Sequence, residues 1–408
     1  MRLTMARGEL EGIRAARSLG DWTDLPPTRT VEQAEPATSP TKSPALGKLI
    51  DEYLTEKRTR GDTAPKRLLD FNAALMLFRQ WCGDDTPAAS IDAAKIGQFR
   101  SLLAKLPSNH TKRFPDLTLE QIVEEAEKRG LPPRDASTVN QKYLALLEAF
   151  FEWAKRGALI GSNPAVGIRA EVSRSRVRRH KRRPFSLDHL KRIYSAPLYT
   201  GCASDARIYE PGDVLVNDHR RWIPLLSLFT GARLNELCQL RVRDVRTVDG
   251  VLCLDINDED GKRLKTRASM RLVPLHPELL RLGFEDYVAS LPKGSSLWPE
   301  METGTTGYSS DAVSKWFIRF LDKTLGHADR KRAQLSHHSF RHTMKDRMRE
   351  VGIDERIQDA FIGHETAHVS AAYGTGYRPR AILAEISKVH FEGLSLEHLY
   401  PPPISIAA

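Results

Sequence analysis

Cysteine is scarce and unpatterned in this sequence. There are four thiols in 408 residues, Cys82, Cys202, Cys238 and Cys253, and no two form a C-x-x-C pair. That excludes a disulfide-stapled scaffold and a cysteine-based structural zinc site, and it fits buried free thiols in a reducing cytosol. Long apolar runs are missing too. None approaches the ~20 residues needed to span a bilayer, and the first residues lack the apolar core of a signal peptide. Acidic residues fall short of basic ones, 52 Asp plus Glu against 62 Lys plus Arg, for a formal net charge of +10. A chain this basic is a candidate polyanion binder, although charge alone does not separate nucleic acid from an anionic membrane surface.

What is present divides along the chain. Residues 1–44 have little apolar periodicity and are rich in Pro, Thr and Ser from Pro26 onward, which reads as a tether or the remnant of a small element. Residues 45–167 are helical in pattern. Leu46, Leu49, Ile50, Tyr53 and Leu54 mark one helix, and Leu68, Leu75, Phe78 and Cys82 a second. A third begins at Ser137, a candidate N-cap, with Val139, Tyr143, Leu147, Phe150 and Ala154 on one face. The aromatics Phe150, Phe151 and Trp153 read as core.

Residues 168–184 then hold eight Lys or Arg and one Glu. Such a run is either a solvated charge cluster or a strap along a phosphate backbone, where each neutralised phosphate releases counterions. The strap reading makes Arg174, Arg176, Arg178, Arg179, Lys181, Arg182 and Arg183 candidate DNA contacts.

A second region, 185–379, opens with Ser186 capping a helix. Two helices flank Thr230-Gly231, the second carrying Arg233 and, three residues on, Glu236, close enough to orient the guanidinium. From Val251 to Ile256 the period is two, a turn follows at 258–261, and a return strand ends in Leu272-Val-Pro-Leu275. The fold expected is mainly α with a small antiparallel β-sheet.

The segment Leu335-Ser-His-His-Ser-Phe-Arg-His-Thr343 opens an amphipathic helix with Phe340, Met344, Met348 and Val351 on one stripe and Gly352 as C-terminal cap. His338 and Arg341 project beside that stripe, a fixed cation next to a group that exchanges protons near neutral pH. By itself H-x-x-R is a weak signal.

It gains weight from company. Thr230-Gly-Ala-Arg-Leu-Asn-Glu236, Lys265-Thr-Arg-Ala-Ser-Met-Arg-Leu-Val-Pro-Leu275, His338-Ser-Phe-Arg341, and Gly363-His364 with Tyr373 nine residues on occur in this order. The series resembles the tyrosine recombinases, especially the phage-type integrases, over roughly residues 45–390. Phe340 and Ile362 stand where leucine is commoner, and no N-terminal arm-binding module is recognisable. The resemblance implies an all-α core-binding domain and a mixed α+β catalytic domain clamped around DNA. It implies a catalytic set of Arg233, Lys265, His338, Arg341, His364 and Tyr373, with Glu236 in support. The corresponding activity is site-specific strand exchange through a 3′-phosphotyrosyl link, for integration or excision of a mobile element. Implied partners are double-stranded DNA, further copies of the chain in a tetramer on paired sites, and DNA-bending accessory proteins. The implied location is the bacterial cytoplasm, on the nucleoid.

The chemistry is consistent with these residue types. A tyrosine hydroxyl, with a reference pKa near 10, is ionised to about one part in a thousand at pH 7, so it needs a base and a cationic setting. Two guanidiniums can cradle the non-bridging oxygens, donors of this kind being worth ~3–4 kcal/mol each. Lys265 can protonate the leaving 5′ oxygen. By resemblance His338 assists proton transfer from Tyr373, and His364 donates to the phosphate or buttresses it. The reaction is close to isoenergetic, so no cofactor, Mg²⁺ or ATP is expected, and no acidic cluster demands a metal.

Alternatives stand beside several assignments. Tyr377 competes with Tyr373, His337 with His338, and Lys262 with Lys265; His342 reads as a surface or supporting residue. Alternative activities are a type IB topoisomerase-like relaxing enzyme and a catalytically inactive DNA-binding regulator. The tail, residues 380–408, carries Ile382, Ile386 and Val389 at helical spacing. Its expected role is an assembly helix that docks on a neighbouring protomer.

Overall fold

The structure, a computed structural model, describes residues 43–172, 183–301, 308–364 and 377–402. Two hydrophobic cores organise it, one built from residues 46–170 and the other from residues 185–399.

Five principal helices build the first core: α1 (Leu46–Arg60), α2 (Pro65–Cys82), α3 (Ala93–Lys105), α4 (Leu119–Lys128) and α5 (Ala145–Arg156). Local chemistry sets their starts. Asp92 accepts from the Lys95 amide to cap α3, and Thr118 with Gln121 forms a reciprocal capping box on α4. Inside, Tyr53 meets Phe71 and Phe150 edge-on, and Phe78 meets Phe99 and Phe151 in the same way. Phe150 and Phe151 are therefore core, not a platform for bases.

The run into α5 differs from expectation. Asp135, not Ser137, is the cap, accepting from the Ser137 amide at 2.8 Å. A single turn, Ala136–Val139, passes through a π-helical segment, Asn140–Leu144, before α5 begins. Asn140 exchanges two hydrogen bonds with the backbone of Ala170, at 2.7 and 2.9 Å. Those bonds, with burial of Ala165 and Ala170, carry this domain's packing to Ala170, past the boundary expected at 167.

The second core wraps a three-stranded antiparallel sheet, β1 (Val245–Val248), β2 (Val251–Ile256) and β3 (Arg271–Pro274), in the order β1-β2-β3. β1 escaped the sequence reading because it is only four residues long with a half-exposed pattern. The helices framing the site are α6 (Leu187–Tyr194), α7 (His219–Thr230), α8 (Leu234–Cys238), α9 (Ser310–Leu325), α10 (His338–Glu350), α11 (Glu355–Ile362) and α12 (Pro379–Ile386). On α10, Phe340, Met344 and Met348 are fully buried, and Gly352 beyond its end takes a left-handed φ of 73°.

In the single chain the apolar face of α12 is covered. Ile382, Ile386 and Val389 are buried in the chain's own second core, with Phe391, Leu396 and Leu399 after them. Polar contacts tie the same stretch down: His276 Nε2 to the Val389 carbonyl at 3.1 Å, Arg221 to the Leu399 carbonyl at 2.9 Å, and Tyr400 to Glu278 at 2.7 Å. A helix this short is marginal by itself, and packing against β2 and β3 buries its apolar face.

Among the described residues no helix is long and apolar enough to cross a membrane. The two domains meet at one edge, where Lys66 of α2 pairs with Asp311 of α9 at 3.7 Å. Beside that contact runs a cleft lined by Lys66, Arg233, Arg263, Lys265 and Tyr308.

Candidate active site

Helix α7 ends at Thr230, and Gly231 turns the chain with φ 60°. A side chain on Gly231 would press on Ile362 and Met344, at 3.3 and 3.4 Å from its Cβ. Glycine therefore lets the end of α7 sit directly on α10 and α11. This close approach places the Gly231 carbonyl 2.8 Å from Arg341 Nη1, which also donates to the Ile362 carbonyl at 2.5 Å. Arg341 is thus fastened between the C-terminal ends of two helices, where carbonyls point outward and welcome a cation.

Arg233 occupies the N-cap position of α8. Its Nη1 donates to Glu236 Oε1 at 2.7 Å and to Ser269 Oγ at 3.0 Å, while Nη2 reaches the Gly363 carbonyl at 2.9 Å. Glu236 therefore orients Arg233, and its other oxygen accepts from Arg271 Nη2 at 2.9 Å. Arg271 continues to the carbonyls of Phe361 and Ser269, both at 2.7 Å. Gly363, with φ 70°, is again a place for glycine alone, since a Cβ would come within 2.7 Å of Arg271 Nη1.

Charge does not balance in this cluster. Among the described residues, three guanidiniums, on Arg233, Arg271 and Arg341, gather around the buried Glu236 carboxylate, which burial alone would neutralise and which Arg271 and Arg233 hold ionised. Burial, with Arg233 and Arg271 nearby, pushes Arg341 down to about 9, still protonated at neutral pH. Its Nη2 is buried and finds no partner among the described residues. A buried donor left open beside surplus positive charge is a receptor for an anion.

The competing residues separate clearly. His337 points into the core, 3.0 Å from Ser227 Oγ and edge-on to Phe317 and Phe340, and burial holds it neutral with a pKa pushed down to about 3. His338, the next residue, packs edge-on against His342, ring centroids 4.9 Å apart. Lys262 is locked onto Asp244 at 2.7 and 2.8 Å and onto Asn257 at 2.6 Å. Lys265 stands exposed and lines the same cleft as Arg233.

Tyr373 lies outside the described residues, as do Arg174, Arg176, Arg178, Arg179, Lys181 and Arg182; Arg183 is exposed. Tyr377 is described. It is 43% exposed and interacts with Arg356, at the opposite end of α11 from Gly363. Residues missed from the sequence are Ser269 and Arg271, which brace Arg233 and Glu236, and Lys345 and Asp359, which flank His364. Arg271 and Ser269 sat in view within the Lys265–Leu275 motif, but only the sheet pairing turns them toward Glu236.

Residues 217–376 match the sequence model of the phage integrase family. The match spans α7 through α11, so every described member of the basic cluster lies within the matched residues. The chain is also similar to a solved structure of the Tn1549 transposon integrase, residues 82–397, in complex with a circular intermediate DNA. That likeness has 16% identity and a TM-score of 0.51 over 85% of this chain and 99% of that one. A lambda integrase dimer bound to a COC′ core site aligns at 18% identity and TM-score 0.49, over 90% of this chain and 87% of that one. At such identities the likeness is one of fold. No curated protein matches the sequence.

Asp218, His219 and Glu300 come within metal-ligand reach of one another. Asp218 is committed to capping α7 and to Arg220. The trio also sits at the far end of α7 from Gly231, about 18 Å away at helical rise.

Proposed function

We propose that this protein is a site-specific DNA recombinase that cuts and rejoins strands through a 3′-phosphotyrosyl intermediate, serving integration or excision of a mobile element. The observation that carries the reading is the buried Arg341 guanidinium. It is held by two carbonyls and, among the described residues, has one nitrogen unpartnered and belongs to a cluster with more cations than anions. A phosphodiester carries one negative charge and two non-bridging oxygens, which suits Arg341 and Arg233 together.

In this reading the Tyr373 oxygen attacks phosphorus and the bond to the 5′ oxygen breaks. His338 takes the tyrosine proton, and Lys265 gives one to the departing 5′ hydroxyl. His364 donates to a phosphate oxygen. Rejoining reverses each transfer, so the phosphoester bond energy is conserved in the protein–DNA link. The two-domain arrangement with a lysine-bearing cleft supports passage of a duplex between the domains, and structures of similar fold are DNA complexes. Pairs of sites brought together require more than one copy of the chain, and a tetramer on paired sites is the assembly proposed.

The test is covalent capture. Wild type, Tyr373→Phe and Tyr377→Phe are incubated with nicked duplexes carrying recombination junctions mapped from cells expressing the protein. Wild type and Tyr377→Phe are expected to yield a denaturant-stable adduct and Tyr373→Phe none. An adduct that survives in Tyr373→Phe overturns the assignment.

A further inference from the structure

His364 stands at the rim of the basic cluster, and its Nδ1 faces two groups of opposite character. Asp359 Oδ1 is 3.3 Å away and Lys345 Nζ is 3.4 Å away. Lys345 and Asp359 are themselves paired at 3.3 Å, largely shielded from solvent. The placement follows from helix geometry. Lys345 lies four residues after Arg341 on α10, one turn along the same face, and the Asp359 carbonyl accepts the His364 amide at 3.0 Å beyond the end of α11.

A neutral imidazole has one N–H, and its two nitrogens are distinct. With the proton on Nδ1, the ring donates to Asp359 and leaves Nε2 as a bare lone pair. With Nδ1 bare, it accepts from the Lys345 ammonium and Nε2 carries the N–H. Only the second form offers a phosphate oxygen a donor; the first sets lone pair against lone pair.

We propose that Lys345, anchored by Asp359, is a positioning residue that holds His364 in the Nε2–H tautomer, so that a neutral ring donates to the phosphate. The part concerning phosphate rests on the recombinase reading; the tautomer itself does not. Several charges face this ring: Arg341 and Lys345 from α10, Arg233 from the start of α8, and Asp359 from α11. Burial and the three cations outweigh Asp359 and hold the His364 pKa down to about 4. The ring is therefore neutral at working pH, where the tautomer matters; a protonated ring would carry both N–H groups and need no selection. Pairing with Lys345 also weakens the pull of Asp359 on a proton at Nδ1.

Two measurements test this. In the full chain labelled with ¹⁵N-histidine, the His364 resonances are identified by their loss in His364→Trp. The expected wild-type signal is the neutral Nε2–H form from pH 8 down to about pH 5, because the folded value lies below the ordinary one near 6.5. Lys345→Met is expected to convert it to the Nδ1–H form and raise the pH at which it titrates, whereas Lys345→Arg keeps the original form. A wild-type ring protonated at Nδ1 overturns the proposal.

The second measurement is single-turnover adduct formation on the nicked junction duplex. Lys345→Met is expected to slow it about tenfold at pH 8, the size usual for lost support of a site histidine. The gap should close as pH falls through the variant ring's own titration, read from its resonances, since imidazolium again presents Nε2–H. In a His364→Trp background, whose indole carries one fixed N–H, Lys345→Met should cost nothing further. An equal loss on both sides of that titration, or in both backgrounds, assigns Lys345 a merely structural role and overturns the proposal. If wild type forms no adduct at all, the recombinase reading fails, while the resonance experiment still decides the tautomer.

Discussion

Glu236 is the residue on which the basic cluster depends. It is almost fully buried and is the shared carboxylate of Arg233 and Arg271. Removing one partner of a buried ion pair costs roughly 3–5 kcal/mol, because the remaining charge loses its compensation without regaining water. Glu236→Gln should therefore lower the unfolding free energy extrapolated from urea titration by an amount of that order. Inorganic sulfate should restore more stability to the variant than it adds to wild type, since the anion fills the charge deficit. Equal sulfate responses would mean the cluster is not an anion receptor. The two lysines of the β2–β3 connection give a second contrast. Lys262 and Asp244 are both buried, so Lys262→Ala should destabilise by roughly 3 kcal/mol. Lys265→Ala, at an exposed position, should stay within about 0.5 kcal/mol of wild type in stability. The same variant should slow adduct formation by about 10²-fold or more, as expected for loss of a general acid. A reversed pattern in melts and adduct rates would exchange their roles.

At the scale of elements, α10 shows how one helix serves core and site together. Consecutive histidines point in different directions, His337 into a cage of Phe317, Phe340 and Ser227 and His338 beside Arg341's turn, because neighbouring helical positions lie about 100° apart. The H-x-x-R register was readable from spacing, but the reason it excludes His337 is burial. The stretch from α12 onward carries the opposite lesson. Its periodicity announced a helix with one face to bury, and nothing in periodicity says where that face goes. With Ile382, Ile386, Val389, Phe391, Leu396 and Leu399 buried, truncation after Arg380 removes six core side chains. At about 1.5–3 kcal/mol for each, this approaches the whole stability of a domain. Such a truncation should yield a protein without a cooperative thermal transition and without DNA binding, read by calorimetry and gel shift. A truncated chain that melts cooperatively near the wild-type temperature would show that the tail docks elsewhere.

For the whole molecule, the two domains meet beside the Lys66–Asp311 pair, which is partly exposed; pairs of this kind contribute about 0–1 kcal/mol. The net charge is +10, and the run 168–184 holds eight Lys or Arg. If that run lies along the backbone, exchanging Arg178, Arg179, Arg182 and Arg183 for Gln should weaken specific and random DNA binding alike. The slope of log affinity against log salt should fall by about 0.9 for each lost contact. Titrations at several salt concentrations decide it; an unchanged slope means the run is only solvated.

The sequence by itself determined the helical character of both domains, the order of motifs around Arg233, Lys265, His338, Arg341 and His364, and the excess of positive charge. These follow from local rules: helical period, capping residues and charge counts act over a few positions and survive in one dimension. Tertiary structure alone decided the partners. Arg271 meets Glu236 across 35 residues, Arg341 meets the Gly231 carbonyl across 110, and α12 folds onto its own sheet. Lys345 and Asp359 reach His364 only because α10 and α11 pack together. Such contacts depend on which buried surfaces find each other when the core closes, and on the cost of leaving a charge or an apolar face uncovered. Neither is written in the spacing of residues along the chain.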